Sequence, residues 1–294
     1  MPVKKVLMPL PDRDFDPSEA ALTWQILRAA GHEVRFATPK GLRAFADPRM
    51  LSGEGLDLWG WIPLLKKLKL FGLMLRADRF GRAAYAQMEQ DPHFLNPLAY
   101  AHIQTQDFDA LALPGGHAKG MRVYLESAVL QAKVVEFFEE HGVDEKMRPI
   151  AAVCHGALLA ARSISPTTGR SMLYGRKTTA LTWKLEKSAW RVGKFLTRFW
   201  EPNYYRTYVE SPGEPPAHWS VESEVKRSLK SPDDFLDVPK NIESYAKKTS
   251  GLARDRLTDA RPAWLVQDGN YLSARWPGDV HTFAKRFVEM IDGV

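Results

Sequence analysis

The chain carries one cysteine, and its neighbours are those of a nucleophile. Cys154 follows an apolar run, Ile150-Ala-Ala-Val153, patterned like a strand buried on both faces. It precedes Ala157-Leu-Leu-Ala-Ala161, a run of strong helix formers. A side chain at a sharp strand-to-helix turn is pushed out at the carboxyl edge of the sheet, where open α/β sheets bind ligands. Such a turn needs small neighbours, and Ala152 and Gly156 stand on either side of His155 and Cys154. The spacing is that of the G-x-S-x-G elbow, with Cys for Ser and Ala for the first Gly. The helix start offers free N–H groups and a positive dipole end, which favour a thiolate and can hold an oxyanion. The competing reading is a buried structural cysteine, a common place for a free thiol.

Two further groups bear on that choice. Glu19 opens a helical stretch in which Leu22, Ile26 and Ala30 fall on its own face. A carboxylate on an apolar stripe has a raised pKa and needs a partner, unlike the solvated acids that usually begin helices. Gly115-Gly116-His117 ends another buried strand. A strand emptying into two glycines lets backbone approach a ligand, so one of these N–H groups is expected as a second oxyanion donor; a plain tight turn is the alternative.

The elements that must position these groups follow an α/β rhythm. Residues 3–10 predict a strand, 19–30 a helix capped by Ser18 and stopped by Gly31, and 33–38 a second strand. Residues 109–114 and 150–153 predict buried strands, separated by a long helix over 125–141 that ends at Gly142. Residues 177–182 are Thr-rich and strand-like. At the end, 263–267 and 271–275 read as a hairpin around Asp268-Gly269. Asp279 then caps a last helix with Val280, Phe283, Phe287 and Ile291 on one face. The rhythm breaks over about 42–106 and about 187–261. The first break contains a basic amphipathic segment, 59–75, expected to pack as a cap over the sheet rather than on a membrane surface. The second interleaves bases and rings, expected to form a half-packed helix face rather than a nucleic-acid surface.

Composition narrows the class. Over 294 residues, 45% hydrophobic and 26% charged side chains are ordinary for a globular protein. A single cysteine excludes an internal disulfide framework and any Cys-rich zinc or iron–sulfur site, and it fits a reducing, cytoplasmic setting. A net charge of +6 permits nucleic-acid or anionic-membrane contact without arguing for either. The longest apolar region, 56–75, carries Asp57, Lys66, Lys67 and Lys69, so no membrane span is expected. The first residues lack the apolar core and cleavage site of a secretion signal.

Taken together, the first strand with Glu19, AGHEVRFATPKG (30–41), DALALPGGH (109–117), AAVCHGA (151–157) and DGNYLSARWPGD (268–279) resemble the ThiJ/PfpI superfamily, the class I glutamine-amidotransferase-like fold. The resemblance implies a flavodoxin-like three-layer α/β/α sandwich on a mostly parallel sheet. It implies one domain over 1–294 with the two irregular regions as insertions, and a homodimer. It makes Cys154 the reactive cysteine and Glu19 its buried acid, with Gly115, Gly116, His117 and Gly156 around the substrate oxygen. The loop PDRDFDPSE and the first insertion resemble the glyoxalase III branch, also described as heat-shock chaperones. In that branch a His after the Cys and a downstream acid complete a triad, which implies His155 and Glu186. The His and Glu that true glutamine amidotransferases use far downstream are not matched, which disfavours ammonia transfer. The activity implied is glutathione-independent conversion of a small 2-oxoaldehyde such as methylglyoxal to its hydroxy acid, with no metal or organic cofactor. A redox-sensing stress protein without turnover, and a cysteine amidohydrolase or peptidase, are the alternatives.

Overall fold

Short runs with almost no polar side chain build the centre of the molecule. The computed structural model describes residues 2–140 and 147–293. Its strands, in chain order, are β1 (Lys5–Pro9), β2 (Arg13–Phe15), β3 (Glu33–Thr38), β4 (Phe45–Ala46), β5 (Leu98–Ala99), β6 (Ala110–Leu113), β7 (Ile150–Val153), β8 (Leu265–Asp268) and β9 (Tyr271–Ala274). Seven of them form one sheet in the order β5-β3-β1-β6-β7-β9-β8. Every pairing is parallel except β8 with β9. Strands β6 and β7 are buried at every position, as a parallel sheet covered on both faces requires. Strands β2 and β4 pair separately.

Helix α1 (Pro17–Ala29) packs against α2 (Arg79–Met88) and the C-terminal helix. On the other side, α3 (Ala128–Glu139) and α4 (His155–Arg162) pack together, and α4 also meets α5 (Val221–Ser228). The C-terminal helix, α6 (Val280–Asp292), lies against β7 and β9 through Val280, Phe283, Phe287 and Ile291. The result is the expected three-layer sandwich on a mostly parallel sheet.

Several local expectations are corrected. Helix α1 is capped by Asp16, not Ser18: Asp16 Oδ1 accepts from the N–H groups of Ser18 (2.8 Å) and Glu19 (3.0 Å). Pro17 fills the first position, where its missing N–H costs nothing. The apolar stripe stops short, since Ile26 is half-buried and Ala30 exposed where the helix emerges from its neighbours. Residues 177–182 form no strand; Thr178 makes one isolated bridge to Phe235 instead. The long helix is Ala128–Glu139, started by Ser127, and the Gly142 stop lies outside the described residues. The hairpin turn is Gly269-Asn270. The Asp279 side chain does not cap α6. It turns back to Arg275, with Oδ1 2.8 Å and Oδ2 3.0 Å from the guanidinium. The segment 59–75 is not an amphipathic helix: turns occupy most of it, and only Phe71–Leu75 is helical.

Helix α4 approaches β6 so closely that a Cβ at Gly156 would overlap the Leu113 carbonyl. Gly156→Ala is therefore expected to cost about 2–4 kcal/mol, read as a lower denaturant midpoint. An unchanged midpoint would mean that α4 can move away from the sheet freely.

Candidate active site

The strand β7 ends at Val153 and α4 begins at His155, so the whole reversal falls on Cys154. It does so at φ 57° and ψ −119°, a conformation that costs a non-glycine residue about 1–3 kcal/mol. Its N–H is tied to the Ala274 carbonyl of β9 (3.1 Å), which holds the turn against the sheet. The neighbouring turn after β6 is just as tight: a Cβ on Gly115 would stand 2.6 Å from the His155 nitrogen. Gly116, at φ 157°, lies against the backbone of Asp14–Asp16, where a Cβ would stand 2.8–2.9 Å from main-chain atoms. Both glycines are thus required by close approach of the chain to its own backbone.

Glu19 is 1% exposed and faces this junction. Its Oε2 accepts the Gly115 N–H at 2.8 Å, and among the described residues its Oε1 has no hydrogen-bond partner. The Gly115 N–H, expected as an oxyanion donor, is therefore already engaged. Burial, reinforced by the nearby Asp16 carboxyl, pushes the Glu19 pKa well above the usual carboxylate range; the Gly115 bond and the Cys154 thiol pull it back only in part. Burial thus favours the protonated form of Glu19 over the carboxylate.

Cys154 is 4% exposed, and burial drives its thiol well above its ordinary pKa, with Glu19 and Asp16 adding to the shift. The helix start does not reverse this, so the expectation of a resting thiolate is corrected. The desolvation of a closed site outweighs a dipole end.

His155 supplies the missing base. Its Nδ1 lies 3.3 Å from Cys154 Sγ, and its Nε2 lies 2.9 Å from Thr207 Oγ1. Thr207 Oγ1 also lies 2.7 Å from the His117 carbonyl, which can only accept. The hydroxyl has one proton and gives it to that carbonyl, so it must accept from His155 Nε2–H. The tautomer is fixed, and the free lone pair of Nδ1 faces the thiol. Burial lowers the His155 pKa to about 3, so the ring is neutral.

The structure brings Cys154, His155, Glu19 and Gly115 together but places Glu186 elsewhere. Glu186 Oε1 lies 2.8 Å from Arg206 Nε, and Oε2 accepts the Val221 N–H at 3.1 Å. Burial lifts its pKa to about 7 against the pull of Arg206. Both ring nitrogens of His155 have other partners, so Glu186 orients Arg206, the residue next to Thr207, rather than the imidazole. His117 sits beside the site with its ring centroid 4.9 Å from Tyr204 and 4.7 Å from Tyr205. Its Nε2 is 4.0 Å from Asp47 Oδ2, which also receives the Tyr204 hydroxyl at 2.6 Å. The second irregular region thus roofs the site with Tyr204, Tyr205 and Thr207. Tyr204 and Tyr205 stand out in the sequence only as rings in a basic, aromatic stretch and not as site residues, and nothing periodic or motif-like marks Thr207. Asp16 was missable only in part, since D-P-S-E is a capping pattern.

Residues 10–224 match the family model described as ThiJ/PfpI family-like. The chain belongs to that ThiJ/PfpI-like family. An uncharacterized protein of Schizosaccharomyces pombe is 25% identical over 226 residues, 75% of this chain and 74% of its own. The Rapid Encystment Protein of 24 kDa from Francisella tularensis shares the fold at TM-score 0.58 and 14% identity, over 98% of this chain and 99% of that one. A ThiJ/PfpI domain protein from Brachyspira murdochii does so at TM-score 0.52 and 13% identity, over 100% and 99%. In this ThiJ/PfpI-like chain, the side chain at Nε2 of the elbow histidine is a threonine.

A histidine whose folded pKa lies below its unfolded value takes its proton preferentially in the unfolded chain. Stability from this group is full above pH ~6.5 and lost as pH falls toward 3. His155→Gln should flatten the stability–pH curve by ~3 kcal/mol between pH ~6.5 and ~4, measured by denaturant unfolding at each pH. Parallel curves would mean that His155 is not held neutral.

Proposed function

We propose that the protein is a cysteine-dependent enzyme that converts small 2-oxoaldehydes, methylglyoxal among them, to 2-hydroxy acids without glutathione. The observation that carries this reading is the meeting of the Cys154 thiol with two proton carriers of opposite readiness. His155 Nδ1 is a free base at 3.3 Å, and burial favours Glu19 as the protonated acid, with one oxygen unpartnered among the described residues. An aldehyde attacked by sulfur needs both.

In the first step Cys154 sulfur bonds to the aldehyde carbon, its proton passes to His155 Nδ1, and Glu19 protonates the former carbonyl oxygen. The product is a hemithioacetal, and Glu19 is left as a carboxylate. Glu19 then takes the C1 proton while His155 returns a proton to the C2 oxygen, giving an enediol. Glu19 delivers its proton to C2 and His155 removes the one on the C1 oxygen, leaving a 2-hydroxyacyl thioester. Water cleaves the thioester to the hydroxy acid and the free thiol, and the proton held by His155 returns through water to Glu19, restoring the starting state. The sum is 2-oxoaldehyde plus water to 2-hydroxy acid, with no change in net oxidation state. The N–H groups of Gly116 and His155 are the remaining backbone donors at the turn for the substrate oxygen. Gly156 contributes by letting α4 close on the sheet, and His117 with its tyrosines borders the site. No step calls on a metal or organic cofactor. Glu186 acts at one remove, by holding Arg206 and with it Thr207.

One sheet that draws its strands from Lys5 to Ala274 supports reading the chain as a single domain into which both irregular regions are inserted. Among the described residues no helix is long and apolar enough to cross a membrane. A cytoplasmic homodimer acting on a small molecule is the setting we propose.

Methylglyoxal consumption and lactate appearance, followed without glutathione, test the activity. Wild type should turn over, Cys154→Ala should be inactive, and Glu19→Gln should lose ~100-fold or more in kcat. Unchanged turnover in Cys154→Ala would refute the chemistry. Absence of turnover in wild type, with a stable two-oxygen mass increase at Cys154 after mild peroxide, would favour the stress-sensor reading. Thr207→Val should lower kcat ~10-fold or more and shift its pH profile, with Thr207→Ser restoring both. Equal pH profiles for Thr207→Val and wild type would show that the hydroxyl does not set the tautomer.

A further inference from the structure

The segment between Leu58 and Arg76 exposes apolar side chains that a folded chain ordinarily hides. Leu64 is 89% exposed, Met74 72% and Trp61 58%, with Leu68 and Leu70 open as well. This is not slack chain. Asp57 is buried and gathers the far end of the segment, with Oδ1 accepting from Leu70 (3.0 Å) and Phe71 (2.6 Å) and Oδ2 from Gly72 (3.1 Å). Trp59 Nε1 donates across the loop to the Leu68 carbonyl at 2.8 Å. Gly53 and Gly72 touch so closely that neither position has room for a Cβ. The base is fixed, and the fixed loop points its leucines outward.

Charge says what covers it. From residue 58 to residue 77 there is no acidic side chain, while Lys66, Lys67, Lys69 and Arg76 are basic. Lys69 turns back to the Ser52 carbonyl (3.2 Å) and Glu54 (3.8 Å), leaving Lys66 and Lys67 exposed beside Leu64 and Leu68. A tryptophan, leucines and free lysines on one protruding loop match the interface of an anionic bilayer, where rings and alkyl chains enter and ammonium groups meet headgroups. A second copy fits worse. A two-fold interface would set Lys66 and Lys67 against their own copies with no acid in the loop to meet them. Arg198, which donates to the Gly55 carbonyl, brings a second exposed apolar turn with Phe195, Leu196 and Phe199 to the base of the loop.

We infer that this loop docks the protein on anionic membrane surfaces, the tip leucines inserting and Lys66 and Lys67 binding headgroups. The docking is peripheral and independent of the chemistry at Cys154.

Flotation of the full chain with phosphatidylcholine vesicles, with and without phosphatidylserine, tests it. Wild type should float only with phosphatidylserine present, and added salt should release it. Lys66→Glu/Lys67→Glu should weaken binding at least tenfold, and Leu64→Ser/Leu68→Ser at least as much. Both pairs are exposed, so thermal melting should be unchanged and any binding loss is local. No flotation of wild type, or equal flotation of both variants, would overturn the inference. So would wild-type self-association in sedimentation that Leu64→Ser/Leu68→Ser abolishes, which would assign the loop to a second copy.

Discussion

The close approach of two strand ends governs the site. Strands β6 and β7 run parallel and finish together, and each chain must leave the sheet within a residue or two. Gly115 on one side and Gly156 on the other allow it, since a methyl group at either would collide with main-chain atoms. The reversal that remains is concentrated on Cys154, which accepts a left-handed φ. In return the thiol is held at the carboxyl edge, against Glu19 and under His155. Had either glycine carried a side chain, α4 would sit farther from the sheet and the sulfur would lose its fixed position between acid and base.

Burial then decides protonation. A dry junction disfavours charged forms: burial raises the pKa of the thiol and of Glu19 and lowers that of His155. Orientation comes from outside the junction: Thr207 chooses the histidine tautomer, and the buried Glu186–Arg206 pair braces the chain beside Thr207. Breaking such a pair typically costs about 3–5 kcal/mol because one charge is left buried alone.

The sheet, Cys154, Glu19 and the Gly-Gly turn were legible because each leaves a local mark: apolar runs, small residues beside a nucleophile, an acid on an apolar face. What was not legible depends on contacts distant in sequence. Thr207 meets a histidine 52 positions away, and no spacing rule reports that. The resemblance implies a triad role for Glu186, whereas its oxygens go to Arg206 and Val221. The thiolate expectation came from the helix start alone and omitted desolvation, which only the packed site makes evident. Residues 59–75 read as a basic amphipathic segment, but Asp57 and the touching glycines fold them into a loop.

The central claim is that Cys154 rests as a neutral thiol and loses its proton to His155 only as it attacks. Thiolate absorbs in the ultraviolet where thiol does not, and the chain has a single cysteine. The absorbance difference between wild type and Cys154→Ala, followed across pH, therefore reports this group alone. The account predicts no thiolate signal at neutral pH and a midpoint above the ordinary value of about 8.5. A full thiolate signal with a midpoint below neutrality would contradict it.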